Sequence, residues 1–203
     1  MSFIVVIPAR HASTRLPGKP LLDIAGKPMI RHVYERACES GASAVYIATD
    51  DQRIAGAARD FGADVIMTRS DHQSGTDRIQ EVAQALALSE SAIIVNVQGD
   101  EPLIPPAAIN QVASNLEQHT DAGISSLYHA ISDGTELINP SAVKVVTDAD
   151  GYALYFSRSP LPWQDSSAGD VHGKRHIGIY AYRVATLNRF VSWPRSLLEI
   201  SER

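Results

Sequence analysis

The sequence predicts an α/β fold with a mostly parallel central sheet and helices on both faces. Short apolar, β-branched runs alternate with segments whose apolar residues recur at helical spacing. Each of these runs is followed by a polar or glycine-containing segment before the next helical pattern begins. The runs that we interpret as strands are 4–7, 45–48, 65–67 and 93–97. Such regular alternation favours parallel strands connected by crossover helices.

The signals for helix ends support this order of elements. After the first strand and a polar loop, Pro28 begins a helix that Gly41 ends. A helix after the second strand ends at Gly62, and the helix after the third strand has Thr76 or Ser74 as its N-cap. The apolar positions that define the helical faces are Met29, Ile30, Val33 and Ala37, then Ile54, Ala57, Ala58 and Phe61, then Ile79, Val82, Ala83 and Leu86, and finally Ile109, Val112, Ala113 and Leu116.

Beyond Leu127 the pattern changes from alternation to a β-hairpin. The apolar stretches 143–147 and 152–156 flank the turn residues 148–151, which predicts two antiparallel strands. Residues 157–173 are rich in Pro, Ser, Gly and Asp and are interpreted as a loop or arm, followed by a strand over 176–182 and a short helix from Leu187. We therefore predict a single domain over 1–203, with the hairpin and arm inserted at about 140–182.

Composition excludes several classes of function. A net charge of −5 over 203 residues argues against general nucleic-acid binding, which needs a basic surface. The chain has a single cysteine, Cys38, so no intramolecular disulfide is possible, and its place in an apolar helical pattern predicts a buried thiol. No apolar run approaches membrane-spanning length and the amino terminus lacks a signal-peptide pattern, so we expect a cytoplasmic protein without membrane insertion.

The loop after the first strand is the first candidate site. It carries Arg10, Arg15 and Lys19 and contains Gly18, which permits close backbone approach. Ligands of open α/β sheets gather at the carboxyl ends of the strands, so these cations are placed to hold an anion such as phosphate. Neither the glycine-rich dinucleotide fingerprint nor the P-loop pattern occurs, so the predicted phosphate site is of another type.

Asp100 is the second candidate. It follows the strand 93–97 at the same predicted edge of the sheet as the basic loop, and Gly99 leaves room beside it. A hard oxygen ligand opposite phosphate-binding cations suggests Mg²⁺, because this ion uses few protein ligands and completes its shell with phosphate and water. The alternative is that Asp100 only stabilises a turn before Pro102, and Glu101 is interpreted as structural.

Two further groups remain open between a structural and a functional interpretation. The segment 74–78 lies at a predicted helix N-terminus, where it could contact a base or phosphate but where capping is the simpler role. His176 and Tyr180 lie two strand periods apart, on one face of their strand, and Arg158 follows the hairpin. From the residues alone this face is as compatible with core as with a binding site.

Taken together, several motifs resemble those of the 3-deoxy-manno-octulosonate cytidylyltransferases, the CMP-KDO synthetases of Gram-negative bacteria. The motifs occur in the family's order across nearly the whole chain. They are Ile7-Pro8-Ala9-Arg10, the stretch 15–21, Ala48-Thr49-Asp50, the stretch 71–78, Asn96-Val97-Gln98-Gly99-Asp100-Glu101-Pro102, Tyr155-Phe156-Ser157-Arg158 and the stretch 175–180.

The resemblance implies a nucleotidyltransferase fold of the glycosyltransferase-A-like type. It implies an enzyme that converts CTP and 3-deoxy-manno-octulosonate (KDO) to CMP-KDO and pyrophosphate for lipopolysaccharide biosynthesis. It also implies Mg²⁺ as cofactor and a homodimer built by the hairpin and arm.

The resemblance further assigns roles to individual residues. Arg10, Arg15 and Lys19 would hold the triphosphate and contribute to catalysis, and Asp100 would hold Mg²⁺. The remaining nucleotide-binding positions would be Pro8, Ala9, Ser74, Gly75, Arg78 and Gln98. The sugar-binding positions would be Gln98, Arg158, His176, Tyr180 and Glu199.

Family members continue beyond the position of Arg203, into a portion that carries a second Mg²⁺-binding aspartate in a V-D-T-P-like motif. The tail 196–203 matches the family's P-L-E-x-I-E stretch loosely, and the arm around 165–174 is shorter than is usual in the family. These departures leave three alternatives: CMP-sialic acid synthetase, a cytidylyltransferase for an amino variant of KDO, or a nucleotide-binding module without turnover.

Overall fold

Alternating strands and helices dominate the first half of the chain, and antiparallel strands follow. The structure is a computed structural model that describes residues 2–12, 16–163 and 172–202. The strands are β1 (Phe3–Ala9), β2 (Asp23–Ile24), β3 (Lys27–Pro28), β4 (Ala44–Thr49), β5 (Asp64–Met67), β6 (Ile93–Asn96), β7 (Ile124–Ile131), β8 (Lys144–Thr147), β9 (Ala153–Ser157) and β10 (Gly173–Arg183). The helices are α1 (Met29–Cys38), α2 (Gln52–Asp60), α3 (Gly75–Ala85), α4 (Pro106–Gln118), α5 (Gly134–Ile138), α6 (Val184–Phe190) and α7 (Leu197–Ser201), and a short 3₁₀ helix covers Lys19–Leu21.

The chain divides into two compact units. The first comprises Met1–Ser125 and Ile179–Trp193, and the second comprises Ser126–Gly178 and Pro194–Arg203. We predicted one domain with an insertion at about 140–182, and the second unit contains most of that range.

The first unit confirms the predicted parallel sheet. Its strand order is β5-β4-β1-β6, with each neighbouring pair parallel, and the carboxyl half of β10 pairs antiparallel with β6, placing Tyr180 opposite Asn96. Val6 on β1 packs with α3 and α6, while its neighbours Val5 and Ile7 are buried on the opposite face, where α1 contacts β1. The core is thus a sheet covered by helices on both sides, as the alternation predicted.

The second unit contains the predicted hairpin. Strands β8 and β9 pair antiparallel, and the Asp148 side chain accepts hydrogen bonds from the backbone N–H groups of Asp150 and Tyr152 in the turn. Gly151 takes a positive φ of 90°, which its missing Cβ permits. The amino half of β10 extends the pairing, with Arg175 opposite Lys144 on β8.

The buried thiol predicted for Cys38 is wrong. The buried positions of α1 are Ile30, Val33 and Ala37, which recur at three and four residues. Cys38 follows Ala37 directly and is rotated by about 100° from that face, so it is exposed. Within the described ranges, none of the helices combines the length and the apolarity that crossing a bilayer requires.

Candidate active site

The basic loop begins where β1 ends and is closed at its base. The backbone N–H of Gly18 donates to the carbonyl of His11 at 2.9 Å. Gly18 has a φ of 72°, and a Cβ there would lie 3.1 Å from Nε2 of His11, so glycine is needed for both conformation and space. Arg10 is exposed at the start of the loop, and Lys19 begins the 3₁₀ helix that follows it. Arg15 lies outside the described residues.

The loop after β6 packs directly against the end of β1. A Cβ on Gly99 would lie 2.9 Å from the carbonyl oxygen of Pro8, a distance that Cβ atoms do not normally reach. Because Gly99 has no side chain, the two strand ends can approach closely, and Asp100 is brought to the rim that carries the basic loop.

Lys19 and Asp100 meet at this rim. The Nζ atom of Lys19 donates to Oδ2 of Asp100 at 2.6 Å, and the two side chains are 34% and 50% exposed. A partly exposed ion pair of this kind contributes about 0.2–1 kcal/mol. The pair therefore fixes where the two groups lie, but its energy is small enough for either to exchange its partner for a ligand.

Helix α3 presents its N-terminus to the same strand end. Ser74 is the N-cap: its side chain accepts from the backbone N–H of Asp77 at 3.1 Å, and the carboxylate of Asp77 accepts from the backbone N–H of Ser74 at 2.8 Å. A Cβ on Gly75 would lie 3.5 Å from Pro8, so the first turn rests against β1. The backbone N–H groups of a first turn carry partial positive charge, which suits an anion.

A cavity of about 270 Å³ opens beside this turn in the first unit. Its lining consists of Gly75, Thr76, Asn96, Gln98, Ile124, Tyr180, Tyr182 and Phe190. Three of these residues, Gly75, Gln98 and Tyr180, were predicted from the sequence, and the structure brings them together. The alternation of side chains along a strand was the signal that could have found Tyr182, because it lies two residues after Tyr180 on the same strand.

Two tyrosines form an aromatic wall of the cavity. The rings of Tyr180 and Tyr182 stack with centroids 5.9 Å apart and an interplanar angle of 28°. Burial, and to a smaller degree the neighbouring Tyr182, raises the pKa of Tyr180 to about 12. The Tyr180 phenol is therefore neutral at physiological pH and offers a hydroxyl hydrogen-bonding group beside an apolar ring face.

Arg78 holds the start of α3 against the neighbouring strands. The side chain is almost fully buried at 4% exposed, its NH2 nitrogen lies 3.1 Å from Oδ1 of Asp50, and NH1 donates to Oγ1 of Thr68. Asp50 follows β4 and Thr68 follows β5, so the arginine ties two strand ends to the helix. Its predicted contact with the nucleotide stays a prediction.

Three of the predicted sugar-binding residues belong to the second unit. The guanidinium of Arg158 donates to the carbonyl oxygen of Pro140 at 2.8 Å, and its backbone N–H donates to the Glu202 carboxylate at 3.0 Å. Glu199 lies on α7 with its backbone N–H donating to Ser196. The sugar-binding roles of Arg158 and Glu199 stay predictions.

His176 is the third. Its Nε2 lies 2.8 Å from Oγ of Ser126, and its ring meets the ring of Phe156 edge-on with centroids 4.9 Å apart. Burial lowers the pKa of His176 because it disfavours the imidazolium. Its sugar-binding role also stays a prediction.

The acidic residues bear on the predicted magnesium site. Among the described residues no group of three or more His, Cys, Asp or Glu side chains could together hold a metal ion. A single half-exposed carboxylate that already attracts an ammonium group, as Asp100 does, fits Mg²⁺ bound by one protein ligand together with phosphate oxygens and water.

Comparison with known proteins places this geometry in a family. The family model described as "Cytidylyltransferase" matches residues 4–203. A 3-deoxy-manno-octulosonate cytidylyltransferase of Cellvibrio japonicus is 60% identical over 211 residues, which cover 100% of this chain and 83% of the relative. The protein of the same name from Saccharophagus degradans is 55% identical and covers 100% and 84%, respectively. The chain belongs to the 3-deoxy-manno-octulosonate cytidylyltransferase family.

Solved structures agree with membership of the 3-deoxy-manno-octulosonate cytidylyltransferase family. The structure of a CMP:2-keto-3-deoxy-manno-octonic acid synthetase complexed with CTP superimposes with a TM-score of 0.91 at 46% identity, covering 99% of this chain and 81% of that one. A cytidylyltransferase from Leptospira borgpetersenii superimposes with a TM-score of 0.60 at 18% identity, covering 96% and 65%, and this more distant likeness shows the fold alone.

Proposed function

We infer that this chain transfers CMP from CTP to KDO, giving CMP-KDO and pyrophosphate for lipopolysaccharide biosynthesis. The structural observation that carries this inference is the meeting of Lys19 and Asp100 at the rim where β1 and β6 end. It supplies a phosphate-binding cation and a metal-binding carboxylate at one place, and the resemblance to CMP-KDO synthetases supplies the substrates.

The reaction is a displacement at phosphorus. The anomeric hydroxyl oxygen of KDO forms a bond to the α-phosphorus of CTP, the bond between that phosphorus and the bridging oxygen breaks, and pyrophosphate leaves. The hydroxyl proton passes to a base that we do not assign. Positioning of the substrates and neutralisation of charge supply the catalysis, without a covalent enzyme intermediate.

The chain's own cations hold the triphosphate in this proposal. Arg10, Arg15 and Lys19 bind phosphate oxygens, with the arginines donating paired hydrogen bonds and the lysine a compact charge. Asp100 holds Mg²⁺, which when bound supplies further positive charge to the phosphates. When the triphosphate takes up the ammonium of Lys19, the Asp100 carboxylate becomes available to a cation.

The other substrate contacts follow the same division. The remaining nucleotide-binding positions are Pro8, Ala9, Ser74, Gly75, Arg78 and Gln98. The stacked aromatic wall and the neutral phenol of Tyr180 suit a polyhydroxylated sugar, and Gln98 lines the same cavity. Arg158, His176 and Glu199 complete the proposed set of sugar-binding residues.

The proposal includes a homodimer and a cytoplasmic location. Exposed apolar side chains on the hairpin of the second unit, including Leu154 and Phe156, support an interface between two copies. A cytoplasmic location is supported by the substrate, because CTP is a cytoplasmic metabolite.

Release of pyrophosphate from CTP, KDO and Mg²⁺, measured with a coupled assay, tests the function. Asp100→Asn keeps the shape but removes the charge that holds the metal, so we expect a loss of activity of about 100-fold or more. Glu101→Gln is the matched control, because it removes the same charge from the neighbouring exposed residue and should retain most activity.

Other sugars separate the alternatives in the same assay. Pyrophosphate release with sialic acid or an amino variant of KDO but not with KDO would assign a different acceptor. Bound CTP, detected by calorimetry, without pyrophosphate release from any of these sugars would instead identify a nucleotide-binding module.

A further inference from the structure

Asn96 is a buried polar residue that the mechanism above does not use. It is the last residue of β6, only 3% of it is exposed, and its Oδ1 atom has no hydrogen-bond partner among the described residues. Unpartnered buried side-chain oxygens are uncommon in native proteins, and those that occur often serve a function. The amide oxygen of Asn96 therefore needs an explanation outside the packing of the sheet.

The neighbours of Asn96 account for only part of its amide. Tyr182 lies on the strand paired with β6, and hydrogen bonds from Asn96 and Thr76 to its phenol lower the pKa of Tyr182 against the larger, opposite effect of burial. The amino group of the amide is thus directed to Tyr182. The oxygen at the other end remains available as an acceptor.

The cavity that Asn96 lines shows which donor the oxygen could meet. Its walls combine aromatic rings, including Tyr180 and Phe190, with the polar side chains of Thr76 and Gln98. Such a mixture suits a polyhydroxylated molecule, whose C–H faces pack on rings while its hydroxyls donate and accept hydrogen bonds. The triphosphate carries no such donors, whereas the acceptor sugar carries several hydroxyls.

We propose that Asn96 is a specificity-determining residue whose Oδ1 accepts a hydrogen bond from one hydroxyl of the acceptor sugar. This inference rests on the proposed function and adds to it a residue that reads the sugar. It places the sugar in the cavity of the first unit, where Gln98 and Tyr180 also lie.

The test compares Asn96→Leu with the parent chain, because leucine keeps the approximate volume and removes the acceptor. We expect the KM for KDO to rise about tenfold and the Kd for CTP, measured by calorimetry, to change less than twofold, since a hydrogen bond of ordinary strength is worth about a factor of ten. Asn188→Leu removes an exposed amide elsewhere in the first unit and should alter neither value.

Deoxy analogues of KDO make the test independent of whether the variant folds. One analogue, lacking the hydroxyl that Asn96 reads, should lose about tenfold in kcat/KM with the parent chain and almost nothing further with Asn96→Leu. The proposal is overturned if no single hydroxyl matters to the parent chain, or if Asn96→Leu weakens CTP while leaving the KM for KDO unchanged. A parent chain that releases no pyrophosphate from CTP and KDO would overturn the proposed function first and this inference with it.

Discussion

At the scale of single residues, Lys19 and Asp100 show how the chain can assemble a binding site without storing much energy in it. The two groups lie 81 positions apart in the sequence and 2.6 Å apart in space. Both are partly exposed, so water screens the pair and its net contribution to stability is small. A triphosphate and a metal ion can therefore replace each partner at little cost to the fold.

His176 illustrates the opposite case, in which burial acts on a titratable group. Burial lowers its pKa in the folded chain, so below pH 6.5 the unfolded chain binds protons that the folded chain does not. Stability from this residue is thus fully present above pH 6.5 and falls as the pH drops from there toward the folded pKa. We expect urea unfolding to give a smaller free energy of unfolding at pH 5.5 than at pH 7.5.

A substitution can attribute this pH dependence to His176. His176→Gln should reduce the difference in free energy between the two pH values, while His129→Gln, at an exposed histidine of the same unit, should leave it in place. An NMR titration that found the imidazole of His176 protonating at or above pH 6.5 in the folded chain would contradict the prediction.

At the scale of elements, the site depends on how closely the strand ends approach. Gly99 permits the loop after β6 to touch the carbonyl of Pro8, and Gly75 lets the first turn of α3 rest on the same proline. The capping box of Ser74 and Asp77 holds that turn in place. Three separate elements thus converge on the end of β1, and their contacts leave little room for added atoms.

Gly99→Ala tests this convergence. The new Cβ would lie 2.9 Å from the carbonyl oxygen of Pro8, so the loop must move, and Asp100 moves with it. We expect kcat/KM for pyrophosphate release to fall at least tenfold while circular dichroism still reports a folded chain.

The matched control lies in α2. Gly56 is an interior helical residue, and a methyl group added there would have no neighbouring atom within 4 Å. Gly56→Ala should therefore keep full activity and raise stability by up to about 1 kcal/mol. Equal activity of the Gly99→Ala and parent chains would show that the loop tolerates the added atom without moving Asp100.

At the scale of the whole molecule, the proposed homodimer makes a prediction about mass. Leu154 on the hairpin is 66% exposed, and burying it against a second copy would remove an apolar side chain from water. We expect sedimentation velocity to give twice the mass of one chain, and Leu154→Glu to shift the distribution toward one chain, because a buried unpaired carboxylate is unfavourable.

Leu103 provides the comparison. It is 83% exposed in the first unit, outside the hairpin, so Leu103→Glu should leave the mass unchanged. A parent chain that sediments as a single copy at all concentrations would contradict the proposed dimer.

Much of the fold could be predicted from the sequence because its signals are local. The β-branched run at Ile4–Ile7 and the helical spacing of Ile79 and Val82 each arise from neighbours in the chain, and both predictions are confirmed. Cys38 was misplaced because the pattern identified a helix but not the edge of its buried face. The burial of that edge depends on what the helix packs against.

The sequence by itself determined the alternation of strands and helices, the hairpin, and the positions of the cationic loop and of Asp100 at strand ends. Only the tertiary structure decided that Lys19 contacts Asp100, that Gly99 touches Pro8, and that Asn96 lines a cavity with Tyr180. The physical reason is that periodicity and turn chemistry act over a few residues, whereas a cavity is created by side chains from distant elements. Whether a buried amide finds a partner depends on where all of those elements come to rest.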